Sequence, residues 1–263
     1  MTSVSNISIG SALAGAAASK SRHTMNEAIA RLATGKRMMY GGDAAAQSMA
    51  FSIGAKGKSF AVAARNAEDG ISVAQTIESA LIEIASLATR LREVAIQADN
   101  VNLQESSGDI AALNAEAKAI TKAMALISTT TKFNNKAVMG GSNKTFAIGV
   151  TDSGNFHTIT STTITDASAT TAAATAESQA DTALQEVAVS LGNLAASMTV
   201  LKARQGVANS AAANMMAASA RLSDTDFAAS SANLAKASIM NQSAMAMVAQ
   251  ANQAQSAILA VLQ

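Results

Sequence analysis

The sequence predicts a mainly α protein: a long antiparallel helical bundle and coiled coil with a short β-hairpin at one end. Three observations carry this. Of 263 residues 63 are Ala and none is Pro, so the best helix former is abundant. The strongest breaker, which costs about 3 kcal/mol per interior site, is absent. Apolar residues recur at alternating spacings of three and four along most of the chain, the mark of helices that each need a helical partner. In one stretch, 145–160, the period changes to two, as in paired strands.

The elements follow in order. Residues 4–39 read as a first helix with the seam Ile9, Leu13, Ala17, Met25, Ile29 and Leu32, slipping around 19–24. Gly35, Gly41 and Gly42 punctuate its end, and Asp43 is placed to cap a helix that starts at Ala44. That second helix carries a cleaner seam: Phe60, Ala63, Ala67, Gly70, Ala74, Ile77, Leu81, Ile84, Ala88, Leu91, Ala95 and Ala98. At 1.5 Å per residue this seam runs for about 60 Å. A turn over 99–108 leads to a third helix with Ile110, Leu113, Ala117, Ile120, Met124 and Ile127.

Residues 145–150 and 156–160 alternate around Asp152-Ser153-Gly154-Asn155, which predicts the hairpin. The Thr/Ala/Ser-rich run 161–176 reads as a surface loop, with hydroxyls that O-linked sugars would use. A fourth helix begins near Asp181 and keeps the 3,4 spacing from Leu184 to Leu222, interrupted in character only by Gln205 and Ser219. After a break at 223–226, the last helix repeats Ala237, Met240, Ala244, Met247, Ala251, Ala254, Ile258 and Val261. The expected domains are a terminal coiled coil (1–42 with 224–263), a helical rod (43–139 with 177–223), and a hairpin with a short variable loop (140–176).

Composition excludes several classes of function. With 19 basic and 18 acidic residues, one Tyr and no Trp, neither a basic face nor an aromatic platform suits nucleic acid. No run of eighteen apolar residues predicts a membrane span, and the first residues lack a cleavable signal pattern. No Cys is present, and the two histidines, His23 and His157, are far apart, so no metal site is expected. No GxSxG elbow or GxGxxG loop occurs, and Asp152 and Asp166 read as loop carboxylates rather than a catalytic pair. No enzyme activity and no cofactor are expected.

Six stretches, taken in order, resemble one family. Arg31-Leu32-Ala33-Thr34-Gly35-Lys36-Arg37 with Asp43 after it, and Arg65-Asn66-Ala67-Glu68-Asp69-Gly70-Ile71-Ser72 continuing to Thr76, are similar to stretches of bacterial flagellin. So are Arg92-Glu93-Val94-Ala95-Ile96-Gln97, Thr131-Lys132-Phe133-Asn134, and Ser219-Ala220-Arg221-Leu222 with Asp224, Asp226 and Phe227. Ala249-Gln250-Ala251-Asn252-Gln253 completes the set. The resemblance spans nearly everything outside 140–180. Departures are Ala254 where the family usually has Pro, Ser230-Ser231 where an acidic residue is usual, and a reduced Leu194-Ala195-Ala196.

The resemblance implies a structural subunit that polymerises into the bacterial flagellar filament for swimming, with little outer domain. The terminal coiled coil becomes its inner core. Implied with it are location in the extracellular flagellum, export through the flagellar secretion apparatus without a cleaved signal, and an export chaperone, cap and junction proteins as partners. Neither nucleic acid nor membrane is implied. The hook–filament junction protein of the same superfamily, or a non-flagellar coiled-coil scaffold, is the alternative.

Leu13, Ile29, Leu32, Met240, Met247, Ile258 and Val261 form the expected assembly seam. The other terminal helix or neighbouring copies of the chain would cover them, since an apolar stripe on a lone helix is weakly stable. The methionine stripe Met240, Met245 and Met247 reads first as ordinary coiled-coil packing and second as an adaptable binding face, by resemblance the export chaperone's. By resemblance, Arg90 and Glu116 fall where the animal innate-immune flagellin receptor reads the family, beside departures at Ala88, Thr89 and Val94. From the residues alone, Arg90, Arg92 and Glu93 are a solvated face with intrahelical charge pairs.

Overall fold

The computed structural model describes residues 2–38, 43–100, 107–162, 164 and 172–262. Five long helices carry the fold: α1 (Thr2–Thr34), α2 (Ala44–Ala98), α3 (Ser107–Thr130), α4 (Ala176–Ser223) and α5 (Phe227–Leu262). Between α3 and α4 lie two antiparallel pairs, β1 (Lys132–Phe133) with β2 (Lys136–Ala137) and β3 (Lys144–Gly149) with β4 (Phe156–Ser161). The fold is therefore mainly α, with antiparallel helix packing and small antiparallel strand pairs. Gly41, Gly42, Asp166 and most of 161–171 lie outside the described residues.

The structure divides the chain into two compact units, 1–55 with 215–263 and 56–214. In the second unit, α2 buries its predicted stripe almost residue for residue. Ile77, Leu81, Ile84, Ala88, Leu91 and Ala95 are fully enclosed. They share one core with Ala117, Ile120 and Met124 of α3 and with Val187, Leu194 and Leu201 of α4. Two helices, α2 and α4, contain windows apolar enough by composition to cross a bilayer. Ile77, Leu81, Ile84 and Leu91 of α2 are instead the centre of this protein core.

The start of α4 differs from the sequence expectation. A 3-10 turn at Ala173–Thr175 runs into α4 at Ala176, well before Asp181. Ala173, Ala176, Ala180 and Ala183 are buried, and the Ala173 N–H donates to Asn114 Oδ1 of α3 at 2.6 Å. Small side chains permit this close approach, so the last residues of a run that reads as low complexity, 173–176, are packed helix. The same helix buries Ser190 at 1% exposure, and its Oγ has no hydrogen-bond partner. An unpaired buried hydroxyl is a cost, and Ala is a better helix former. Ser190→Ala is expected to stabilise the second unit by about 1 kcal/mol, read as a higher urea midpoint; an unchanged or lower midpoint would count against the unpaired hydroxyl.

The β3–β4 hairpin has the register Thr145↔Thr160, Phe146↔Ile159 and Ile148↔His157. Its turn closes through Val150 N–H to Asn155 O at 3.0 Å, with Gly154 at φ 80°. The smaller β1–β2 hairpin was not expected from the sequence. Its turn residues Asn134 and Asn135 both have positive φ, 47° and 64°, the conformation of a two-residue I′ turn that Asn tolerates.

The hairpin rests on α2 through two residues one turn apart. Asn66 Nδ2 donates to Gly149 O at 3.3 Å. At Gly70, a Cβ would lie 3.0 Å from Ile148 Cγ1 and 3.2 Å from Leu201 Cδ1, so only glycine lets β3 and α4 come this close without displacement.

Candidate assembly surface

In the first unit α1 and α5 pack side by side, antiparallel. The seam between them is built from small residues. Ala14, Ala18, Ser21 and Ala28 of α1 are buried, as are Ser230, Ala237 and Ala244 of α5. With half-buried Leu234, Asn241, Val248 and Ala251, α5 presents a 4,3 stripe that differs from the one expected. The two stripes share Ala237, Ala244 and Ala251 and then diverge, because Ala leaves either neighbouring position free to complete the heptad.

Close packing of small residues leaves the large ones outside. Ile9 is 60% exposed, Leu13 71%, Ile29 47%, Met240 50% and Met247 65%; Leu32 is half-buried. Ile258 and Val261 lie within α5, but their side chains are outside the described residues. Two grooves run between the helices. One, of about 280 Å³, is lined by Gly10, Ala14, Met247, Gln250, Ala251 and Ala254. The other, of about 270 Å³, lies between Lys20 and Thr24 of α1 and Asn233, Lys236 and Met240 of α5. Neither 1–19 nor 237–263 contains a single Asp, Glu, Lys, Arg or His. Beyond the Lys20 and Lys236 that line the second groove, this surface is apolar, uncharged and ridged, and its chemistry is that of a face to be covered.

The joint at the base of the pair explains several motif positions. Gly35 ends α1 at φ 68°, and its N–H donates to Arg31 O at 2.8 Å, a left-handed helix stop. Beyond it Lys36 and Asp224 form an antiparallel bridge. The Arg37 N–H donates to Ser223 O at 2.8 Å, and the Thr225 N–H to Gly35 O at 2.9 Å. Arg37 Nη2 adds a bond to Leu222 O at 3.3 Å. The links α1→α2 and α4→α5 are thus fastened to each other. Asp43 Oδ1 accepts from Ala46 N–H at 3.2 Å and Asp226 Oδ1 from Ala229 N–H at 3.0 Å, so both aspartates cap helices. Asp224 accepts from the Ser223 hydroxyl at 3.0 Å.

Asp226→Ala should cost about 1 kcal/mol of helix stability. The expected readout is faster amide exchange over the first turn of α5; unaltered exchange there would argue against the cap.

The remaining motif residues do other things. Asn66 and Gly70 seat the hairpin, whereas Arg65, Asp69 and Arg221 are exposed, as are Gln250, Asn252 and Gln253 on α5. Gln250 nonetheless lines the first groove. Arg90 is bound by Glu116 of α3 at 2.6 Å and by Glu93 at 3.0 Å. Its guanidinium pKa is raised further above the ordinary arginine range, chiefly by the Glu116 hydrogen bonds and then by that to Glu93. Arg92 reaches Asp181 and Glu177 of α4 at 3.1 and 3.8 Å. These exposed pairs align α2 with its neighbours, and each contributes little stability by itself.

The family model for the bacterial flagellin N-terminal helical region matches residues 6–144, and that for the C-terminal helical region matches 164–262. The flagellin of Halalkalibacterium halodurans is 32% identical over 90% of this chain and 91% of its own length. That of Xenorhabdus nematophila is 38% identical over 54% of this chain and 45% of its own. That of Bacillus subtilis is 35% identical over 43% of this chain and 38% of its own.

Proposed function

Because the chain belongs to the bacterial flagellin family, we infer that it polymerises through the largely apolar α1–α5 surface. It is a structural protein that polymerises with other flagellin subunits into the extracellular flagellar filament. The finer reading concerns which residues touch. Leu13, Ile29, Leu32, Met240 and Met247 face neighbouring copies, and Ile258 and Val261 continue that face toward the end of α5. The terminal coiled coil, 1–42 with 224–263, is the part of each subunit through which copies meet.

The observation that carries this reading is the exposure of large apolar side chains beside a seam of alanines. A two-helix pair that keeps its bulky residues outward has not finished burying its apolar surface. Other copies supply the rest, since an apolar face is best matched by an equally apolar one. Export in an unfolded state through the flagellar secretion apparatus suits helices whose stability depends on later packing. An export chaperone, a cap and junction proteins then meet the same apolar ends. Any receptor that reads Arg90 and Glu116 competes with the bonds these residues already make to each other.

The test is electron microscopy of concentrated monomer with short filament seeds. Long thin filaments, lost when residues 233–263 are trimmed, are expected. Monomer that only decorates seed ends would turn the reading toward the junction protein.

A further inference from the structure

Methionine is distributed unevenly over the two units. Met49, Met216, Met240, Met245 and Met247 are 44–65% exposed, and all five lie in the first unit. In the second unit Met124 and Met139 are 3% and 2% exposed, and Met198 is half-buried. The chain has no Cys and no Trp, so the thioether is its most readily oxidised side chain. Met240 and Met247 stand two turns apart on α5, and each lines one of the two grooves against α1. Met245 lines neither.

We propose that Met240 and Met247 are oxidation sites through which peroxide controls polymerisation. This rests on the reading that neighbouring copies cover the α1–α5 surface. A thioether sulfur attacks one oxygen of hydrogen peroxide, the O–O bond breaks, and the products are methionine sulfoxide and water. Sulfur loses two electrons and the peroxide gains them. The flexible apolar side chain becomes a polar one with a strong acceptor oxygen. Against incoming apolar side chains that acceptor loses its water; in the Met247 groove Gln250 is the one lining side chain able to donate to it, whereas Lys20, Thr24, Asn233 and Lys236 stand beside Met240, so the cost falls chiefly at Met247. A free subunit is sensitive; once assembled, its neighbours shield the same sulfurs.

The experiment treats full-length monomer and preformed filaments with hydrogen peroxide and maps sulfoxide by peptide mass spectrometry. In the monomer, Met240 and Met247 are expected to oxidise at least about tenfold faster than Met124 and Met139, and more slowly in filaments. Treated monomer should need about tenfold more protein to extend seeds. A treated Met240→Leu/Met247→Leu chain should extend them normally, because Leu and Met are close in volume, whereas a Met245→Leu chain should stay sensitive. Equal oxidation rates at the four sites, or a treated double variant as impaired as the wild type, would overturn the proposal. If untreated chain fails to extend seeds, the polymerisation reading fails instead, and the monomer oxidation rates still decide whether these sites exist.

Discussion

Leu13→Asp is expected to abolish filament growth while leaving the isolated subunit intact. Leu13 is 71% exposed on α1, so in the monomer the new carboxylate stays in water, and stability should shift by no more than about 0.5 kcal/mol. Against a neighbouring copy the same carboxylate is desolvated. No charged side chain lies within residues 1–19 or 237–263 to receive it. An unpaired buried charge costs about 3–5 kcal/mol, which corresponds to a rise of at least about 100-fold in the concentration needed for growth.

Ala18→Asp separates this effect from damage to the pair itself. Ala18 is 1% exposed in the α1–α5 seam, so its substitution should lower the helicity of the monomer as well as block growth. Circular dichroism and seeded growth, measured on both variants, give the answer. Leu13→Asp chains that extend seeds at the wild-type concentration would show that this part of α1 does not meet a neighbour.

The sequence was most legible where large side chains set the phase. In α2, Ile77, Leu81, Ile84 and Leu91 leave one choice of buried face, and the structure takes it. In α5 the shared positions are all alanine. The stripe through Met240 and Met247 and the stripe through Asn241 and Val248 are nearly equal in pattern, and packing decides between them. The alanine seam favours the closest approach of the two backbones, which puts the smaller residues inside.

Other features had no periodic signal to read. Two-residue strands such as Lys132–Phe133 are too short to alternate, and only the adjacent asparagines hinted at their turn. The bond from Arg92 to Asp181 spans two helices far apart in sequence, where a local reading finds only an exposed arginine. Of the motif residues, Asp43 was legible as a cap from its place before Ala44. The roles of Asn66 and Gly70 needed the hairpin laid on the helix.

Gly70→Val shows what that last contact is worth. A helix interior disfavours glycine by about 0.5–1 kcal/mol relative to alanine, so on local grounds Gly70 is a poor residue for α2. Its compensation is the approach of Ile148 and Leu201, which would stand 3.0 and 3.2 Å from a Cβ. Alanine therefore gains propensity and loses packing, and the two effects nearly offset. Valine adds two further methyl groups in the same space and brings overpacking of about 1–3 kcal/mol, with no relief from a flexible stem.

The hairpin has the weaker hold on α2, since one side-chain hydrogen bond, Asn66 to Gly149 at 3.3 Å, supplements its apolar contact. It should therefore be the element that moves. Faster amide exchange across β3 and β4 is expected, together with a fall in melting temperature of about 2–4 °C per kcal/mol lost. Ile148→Ala in the Gly70→Val background removes the side chain that valine meets and should restore part of the loss. A double-mutant cycle would then show coupling between positions 70 and 148. Strict additivity with unchanged hairpin exchange would mean that Gly70 is there for some reason other than the close approach of β3.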